Sequence, residues 1–404
     1  MSCHVLLAAG DDGESDAATA RSPVRLDHDS SDSEAQRFSP LFSPRATSST
    51  FSEEIDSSVG DESDRDELAS LSSLNSPAPS VYSLTESLIQ ASFRKEFGRD
   101  VQNHSEVYHL PADVPEFERL NKQHMMLTWV VGKYPAPLMD VLEDEPQGPQ
   151  KAVLDLGCGT GAWLGDIAAD FPHVDAVGVD LVPPQLTYVP PNVRMEVDDI
   201  NLGLEHFYGQ FDVVNARLIS AGIKDYAGLI DQMSRILRPH GLVILSECDF
   251  RVYNEDMEPF SLTAPPAATT SAAAASEPPA VARYIGHMRK CIRARGGHVD
   301  AASLLHRWVS QHRSFTDVVY RDIYFPLSPF ARGDSHEMRR QRKIGFLARD
   351  DSLAFMESAR PLVLKGGVPE EEADNLLVAA RSELMEGRLP CYMRMQCVYA
   401  RKRT

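Results

Sequence analysis

The apolar positions of residues 151–250 follow two alternating periods. Short continuous apolar runs, typical of buried strands, alternate with segments in which apolar residues recur every three to four positions, as on one helix face. Trp163, Ile167 and Phe171 have the helical spacing, and Pro172 ends that segment. The pattern predicts strands over residues 153–156, 174–179, 193–197, 211–217 and 242–245, and helices over residues 163–171 and 226–237. This alternation predicts an α/β fold with a mostly parallel sheet and helices on both faces.

The segments on both sides of this region contain further helical patterns, and the C-terminal side also contains two strand patterns. Apolar spacing predicts helices over residues 115–131 and 280–295, a short helix capped by Asp300, and helical segments within residues 338–387. Residues 315–325 and 391–399 alternate as strands do. We expect these two strands to pair antiparallel near one edge of the sheet.

The N-terminal segment differs from the rest of the chain in composition. Residues 1–75 contain 16 Asp and Glu against 5 Arg and no Lys, and so carry −11 of the formal net charge of −19. With few apolar residues, the segment cannot bury enough surface to offset its chain entropy. We therefore predict a disordered, acidic, Ser-rich tail over residues 1–85. Its Ser-Pro pairs, such as Ser39-Pro40, are candidate phosphorylation sites; an unregulated solubilising tail is the alternative.

Cysteine spacing, hydropathy and charge disfavour several classes of protein. The six cysteines include no C-x-x-C pair, which disfavours structural zinc and favours a reducing compartment. We expect no bound metal and a cytoplasmic or nuclear location. No apolar run approaches the roughly 18 residues that span a membrane, so we expect no membrane contact. The negative net charge disfavours direct binding to nucleic acid.

The most informative segment is the turn that follows the first predicted strand. Gly157, Gly159 and Gly161 form a G-x-G-x-G turn between that strand and a helix, and Asp155 precedes the turn by two residues. Glycine lets the backbone approach a ligand closely, and the helix N-terminus adds free N–H groups. With Ala162 the turn also satisfies the dinucleotide pattern G-x-G-x-x-G/A. Asp155 favours a ligand with an amino group, since a carboxylate there repels a pyrophosphate.

Acidic residues end the second and third predicted strands. Asp180 ends the second strand, where a carboxylate suits the hydroxyl groups of a ribose, in nicotinamide enzymes as much as elsewhere. Asp198 and Asp199 follow the third strand, where they either bind an adenine amino group or remain solvated at the strand end. Position and charge alone leave the cofactor class open.

The glycine turn with its acid resembles motif I of class I S-adenosylmethionine (SAM) methyltransferases. A narrower resemblance, to the fungal LaeA-like (UMTA-type) methyltransferases, is carried by Y-x-L-P-x-D over residues 108–113, by E-R-L-x-x-Q-H over residues 118–124, and by segments near Asp180, Val189 and Asn215. It covers about residues 95–250. The resemblance implies a class I methyltransferase Rossmann-like fold with seven strands, an antiparallel last strand, and SAM as cofactor. It implies that the cofactor-binding residues are Asp155, Gly157, Cys158, Gly159, Gly161, Asp180, Leu181, Asp198, Asp199 and Asn215.

With the resemblance, the predicted organisation is the tail over residues 1–85 followed by one SAM-dependent methyltransferase domain over residues 86–404. Within that domain we expect four parts. They are an N-terminal helical cap over 86–150, a SAM-binding core over 151–250, a flexible Ala- and Pro-rich insertion over 255–280, and acceptor-side helices with the last strands over 281–404.

Two functions are consistent with this organisation. The first is an enzyme that methylates a small molecule of secondary metabolism, with no catalytic residue assigned. The second is a LaeA-like nuclear regulator of secondary metabolism that acts through protein partners, with SAM binding regulatory or structural and the acidic tail as a binding segment. The basic tract over residues 339–343 is then a nuclear-import signal; helix-surface charge is the alternative. A nicotinamide dehydrogenase is a remote third hypothesis. His124 lies among apolar residues of its helix, where it is either a buried structural histidine or a group above the cofactor.

Overall fold

A computed structural model describes residues 86–183, 189–262 and 277–404. The predicted tail, the middle of the predicted insertion, and residues 184–188 of the LaeA-like segment lie outside the described residues. Within the described ranges no helix has the length and apolar composition that a membrane span requires. The proposed division of the chain into a tail and one domain stays a prediction.

The described residues form nine strands. They are β1 (Phe93–Glu96), β2 (Arg99–Gln102), β3 (Ala152–Leu156), β4 (Asp175–Asp180), β5 (Val193–Val197), β6 (Phe211–Arg217), β7 (Leu237–Tyr253), β8 (Phe315–Pro326) and β9 (Tyr392–Lys402). The last seven form one sheet in the order β5-β4-β3-β6-β7-β9-β8. Strands β3 to β7 pair in parallel, whereas β9 lies antiparallel between β7 and β8. The predicted fold class and the antiparallel last strand are confirmed.

The helices of the described residues flank this sheet. They are α1 (Glu86–Ala91), α2 (Val114–Val131), α3 (Pro137–Val141), α4 (Ala162–Asp170), α5 (Tyr226–Ile236), α6 (Ala280–Ala294), α7 (Leu305–Gln311), α8 (His336–Ser358), α9 (Arg360–Lys365) and α10 (Glu370–Glu386). Neighbouring residues of β3 pack against opposite layers: Val153 joins the core under α3 and α4, and Leu154 joins the core under α5 and α7. Helices therefore cover both faces, which is why β3 is apolar almost throughout.

Three local features differ from the expectations. The N-terminal part contains a hairpin, β1–β2, whose turn places Phe97 and Gly98 at φ values of 46° and 79°. Its strands are short and charged, so they lack the apolar alternation that marks a strand. Strand β7 runs on to Tyr253, well past the expected end at Leu245, because β9 pairs along its length. Asp300 makes no side-chain cap; its carboxylate pairs with the arginines of α6 instead.

Helices α2 and α8 pack along each other and cover the carboxyl ends of the central strands. The guanidinium Nη2 of Arg340, near the start of α8, donates to the carbonyl oxygens of Trp129 and Val130, near the end of α2, at 2.7 and 3.2 Å. Free backbone carbonyls at a helix C-terminus attract cations, so these contacts stabilise the end of α2. The two helices form the roof of a cavity above the sheet.

Candidate active site

A cavity lies where β3, β4, β5 and β6 end, beside β7 and below α2 and α8. The carboxyl ends of parallel strands are the usual ligand-binding edge of an open α/β sheet. Six of the ten predicted site residues line its wall: Gly157, Gly159, Asp180, Leu181, Asp198 and Asp199. The remaining four, Asp155, Cys158, Gly161 and Asn215, lie beneath or beside the wall. The site assignment itself stays a prediction.

The glycine turn after β3 is held by backbone hydrogen bonds. The N–H groups of Gly157 and Cys158 both donate to the carbonyl oxygen of Val179 in β4, at 2.8 and 3.0 Å. Gly157 has φ +69°, and a Cβ atom there would lie 2.4 Å from Cγ2 of Ile219. A side chain at Gly157 is therefore excluded both by backbone conformation and by space. The backbone of Gly157, which carries no side chain, therefore forms the floor of the cavity.

Asp180 connects the end of β4 to the glycine turn. Its Oδ2 accepts the N–H of Gly159 at 2.8 Å. Burial raises the pKa of Asp180, whereas hydrogen bonds from the backbone of Gly159, Val182 and Leu181 lower it. The carboxylate is thus fixed in position at the wall of the cavity, beside the backbone that the turn exposes.

The two acids after β5 have different surroundings. Asp199 accepts hydrogen bonds from the backbone N–H and the side-chain amide of Asn201, at 3.0 and 2.8 Å, and so caps the turn that follows. Asp198 has a longer contact, 3.7 Å from its Oδ2 to Nε2 of His206. Since the oxygens of Asp198 are less occupied, Asp198 is better suited to accept a hydrogen bond from a ligand.

Asp155 and Asn215 form a buried pair between β3 and β6. The amide of Asn215 donates to Oδ1 of Asp155 at 2.8 Å. Burial raises the pKa of Asp155 to about 7, although Asn215 and Arg217 oppose the shift. Asp155 is therefore a carboxyl group whose charge depends on what the cavity above it contains.

Cys158 and Gly161 have structural surroundings. The Sγ of Cys158 lies 2.9 Å from the position that a Cβ on Gly178 would take, so the thiol fills space between β3 and β4. Burial raises the pKa of this thiol, which keeps it neutral and unreactive. Gly161 is the N-cap of α4 in a left-handed conformation, φ +73°. Both residues shape the turn from outside the cavity.

Arg217, at the end of β6, lines the cavity and was not predicted as a site residue. Its Nη2 donates to Nδ1 of His124 at 3.0 Å, so His124 carries its proton on Nε2 and donates to Asp166 at 2.9 Å. His124 thereby links α2, β6 and α4, which favours the structural interpretation of this histidine. A sequence signal for Arg217 existed, because it ends a strand at the ligand-binding edge.

A buried ion cluster lies under the roof. Arg119 of α2 donates to both carboxylate oxygens of Glu116 and, from Nη1, to Asp351 of α8 at 2.8 Å. Gln123 donates to the second oxygen of Asp351 at 3.1 Å. Arg119 is 4% exposed and its guanidinium lies 5.1 Å from the ring centre of Phe355. Because Arg119 and Asp351 are 232 positions apart, sequence spacing gave no indication of the cluster.

Glu247 of β7 is another acid on the cavity wall, and its side chain is buried. Its Oε1 accepts the N–H groups of Ile219 and Ser220 and the hydroxyl of Tyr226, at 2.9, 3.1 and 3.0 Å. Its Oε2 accepts the hydroxyl of Ser220 at 2.8 Å. Burial raises its pKa to about 7 against these hydrogen bonds. Glu247 therefore holds the turn after β6 in place.

Two residues with strained backbone lie on the cavity wall. Leu218, directly after β6, has φ +58°, and Phe250 in β7 has φ +51°. Phe250 falls where the register of β7 against β9 shifts, between Cys248 and Val252. A bulge of this kind turns a side chain out of its regular alternation. Strain of this kind concentrates at functional sites, which supports a ligand-binding role for this wall.

Among the described residues no group of three or more His, Cys, Asp and Glu has an arrangement that could hold a metal ion. The chemistry available in the cavity is that of backbone N–H groups, carboxylates, two guanidinium groups and aromatic rings. Such a set binds and orients ligands.

A family model and several known proteins are similar to this chain. A family model described as a methyltransferase domain matches residues 147–277. The secondary metabolism regulator laeA of Coprinopsis cinerea is 41% identical over 312 residues, which are 76% of this chain and 74% of that relative. Methyltransferase pytC of Aspergillus terreus is 28% identical over 306 residues, 74% of this chain and 84% of that relative. Among solved structures, phosphoethanolamine N-methyltransferase 2 of Haemonchus contortus in complex with S-adenosyl-L-methionine has 16% identity and a TM-score of 0.37, with coverage of 79% of this chain and 72% of that one.

The sheet order and the domain match define a class I SAM-dependent methyltransferase. More narrowly, the chain belongs to the family of the fungal secondary metabolism regulator laeA, on the strength of the 41% identity to the Coprinopsis protein. The predicted family, the enzyme class and the SAM cofactor of that class are confirmed. The methyl acceptor is not specified by these matches.

Proposed function

We propose that the protein transfers the methyl group of SAM to a small-molecule acceptor of secondary metabolism. The observation that carries the proposal is the convergence of the glycine turn, Asp180 and Asp198 on a cavity whose other half is lined by aromatic side chains. One half fits the cofactor, and the other leaves room for a second, apolar ligand. When bound, SAM supplies an activated methyl group on a sulfonium sulfur, so orientation of the acceptor accounts for much of the catalysis.

The described residues fit SAM by the chemistry of their donors and acceptors. Asp180 suits the ribose hydroxyls, and Asp198 suits the adenine amino group. The bare backbone of Gly157 and Gly159 admits close approach of the methionine part. Arg217 is placed to bind the carboxylate of the methionine part. Asp155, beneath the turn, stabilises the amino group of the methionine part electrostatically. These assignments are proposals, supported by the position of each group at or below the cavity wall.

Calorimetric titration of the full chain with SAM, and separately with S-adenosylhomocysteine (SAH), tests the cofactor site. Binding of both at micromolar concentrations supports the proposal, and methyl transfer is then assayed with labelled SAM in an extract of fungal metabolites. A folded protein that binds neither compound contradicts it. NADH serves as the negative control for the dehydrogenase alternative.

A second candidate function is regulation through protein partners, favoured by the similarity to the Coprinopsis relative, which is a secondary metabolism regulator. Under it, the acidic tail contacts partners, SAM binding is regulatory or structural, and the location is nuclear; under the enzyme hypothesis the location is cytoplasmic or nuclear. The basic tract over residues 339–343 gives weak support, since Arg340 and Arg342 donate to backbone carbonyls within the domain. Imaging of a fluorescent fusion, with transcript profiles of a deletion strain, separates the two: a cytosolic protein without effect on metabolite genes contradicts the regulator.

A further inference from the structure

The cationic side chains that line the cavity already bind other side chains of the protein. Among the described residues its wall carries two, Arg119 and Arg217, and the undescribed internal segments 184–188 and 263–276 contain no Lys or Arg. Arg119 is bound to two carboxylates, Glu116 and Asp351. Arg217 is bound to His124 and lies in the field of Asp155, on the side of the glycine turn. Within the part of the chain that the structure describes, no guanidinium group on the wall is therefore left over for an anionic second ligand.

Carboxyl groups outnumber these cations on the wall. Five acids line it: Asp180, Asp198 and Asp199 on the cofactor side, and Glu247 of β7 and Asp351 of α8 on the side of the second ligand. The oxygens of Glu247 and Asp351 accept hydrogen bonds from the protein. An incoming anion therefore meets carboxylate oxygens, beside the uncharged hydroxyl groups of Tyr108 and Ser352. Near the low-dielectric interior of a protein, repulsion between like charges is stronger than in solution. The electrostatic character of the cavity therefore opposes a ligand with a phosphate or carboxylate group in its second half.

Aromatic and sulfur-containing side chains form the surface of that second half. Phe250 of β7, Phe325 of β8 and Met393 of β9 lie on the wall, with Phe355 of α8 from the roof. Phe325 is 4% exposed, and the other three are partly buried against the same core cluster. Rings and thioethers bind apolar and aromatic ligands by contact area. The bulge in β7 is what brings Phe250 into this set.

We infer that the methyl acceptor is an uncharged, apolar ring compound with a hydroxyl or amine nucleophile, and that anionic acceptors are excluded. The inference rests on the proposed function, which assigns the glycine-turn half of the cavity to SAM. In the transfer, a lone pair of the acceptor oxygen or nitrogen bonds to the methyl carbon as the carbon–sulfur bond breaks. The electron pair of that bond remains on sulfur, which gives SAH, and the proton of the acceptor leaves to water. No other reactant is needed.

A matched pair of probes tests whether the second half of the cavity excludes anionic ligands. The full chain, saturated with SAH, is titrated at pH 7.5 with 2-naphthol and with 2-naphthoate, which share one ring system and differ in charge. We expect 2-naphthol to bind and 2-naphthoate to bind at least tenfold more weakly. Equal or tighter binding of 2-naphthoate overturns the inference. Absence of SAH binding overturns the proposed function separately. The two probes are then compared on the free protein, where 2-naphthol is again expected to bind at least tenfold more tightly than 2-naphthoate.

A matched pair of variants locates the probe. Phe250→Ala is expected to weaken 2-naphthol at least fivefold while SAH affinity stays within twofold. Phe346→Ala, at a residue of α8 that is 48% exposed and off the cavity wall, is expected to change neither. Equal effects of the two variants on 2-naphthol would show that the probe binds elsewhere, and would overturn the assignment of the aromatic half.

Discussion

The two halves of the cavity are built in different ways. The cofactor half comes from consecutive strand ends between Asp155 and Arg217, and it uses bare backbone, turns and single acids. The acceptor half is assembled from α2, β7, β8, β9 and α8, whose wall residues span 117–393, and it uses rings, of which Phe355 packs against the guanidinium of the buried ion cluster. The difference shows that one half depends on local conformation and the other on long-range packing. Each half is therefore vulnerable to a different kind of substitution.

The largest expected effect is on the packing of the acceptor half. Arg119→Met leaves Glu116 and Asp351 as buried carboxylates without their cation, and this should lower the free energy of unfolding by about 3–5 kcal/mol. Urea denaturation measures the change. Arg381→Met, which removes a pair with Glu357 in which both side chains are 55% exposed, is the control, and it should shift stability by less than about 1 kcal/mol. Similar losses in both variants would refute the special role of the buried cluster.

A smaller effect, confined to binding, is expected in the cofactor half. Gly159→Val places a branched side chain at φ +56° beside the hydrogen bond to Asp180. SAM affinity should fall roughly 100-fold, which corresponds to about 2.8 kcal/mol. Gly165→Val, in α4, is the matched control, because no atom lies within 4 Å of the added Cβ. Calorimetry of both variants checks the difference; unchanged affinity in a folded Gly159→Val protein would disprove the site.

Affinity should also depend on pH through Asp155. The pKa of this group is raised to about 7 in the free protein. A cationic amino group above it favours the ionised carboxylate, so binding below pH 7 requires release of a proton. SAM affinity should therefore weaken as pH falls from 7.5 to 5.5, by up to about tenfold per unit. The Asp155→Asn variant should bind more weakly at pH 7.5 and show no such slope; a parallel slope in the variant would assign the titration to another group.

The smallest effect is expected from the N-terminal tail. Both halves of the cavity are lined by residues from Tyr108 onward. Deletion of residues 1–80 should therefore leave the affinity for SAM within about twofold, which is under 0.5 kcal/mol. Calorimetry of the truncated and full chains makes the comparison. A large loss of affinity would mean that the tail contributes to one half of the site.

The same contrast explains how much of the molecule could be predicted from sequence. The strands over residues 152–217 were found because each is a short apolar run. Gly157, Asp180 and Asp198 followed because a glycine or an acid directly ends such a run, and the other wall residues, such as Leu181, followed from the family resemblance. Arg119 and Asp351 were not found, because their meaning depends on the packing of α2 against α8. Phe250 was missed for another reason: the bulge that reorients it arises from pairing with β9, which lies about 145 residues further on in the chain.

The position of β9 has a consequence for the solubility of shortened forms of the protein. Strand β9, Tyr392–Lys402, lies between β7 and β8, and among the described strands β8 has no other partner in the sheet. Loss of β9 should therefore expose an edge of β7 and an edge of β8 at once, and such edges promote aggregation. A chain cut before Tyr392 is expected to accumulate in the insoluble fraction.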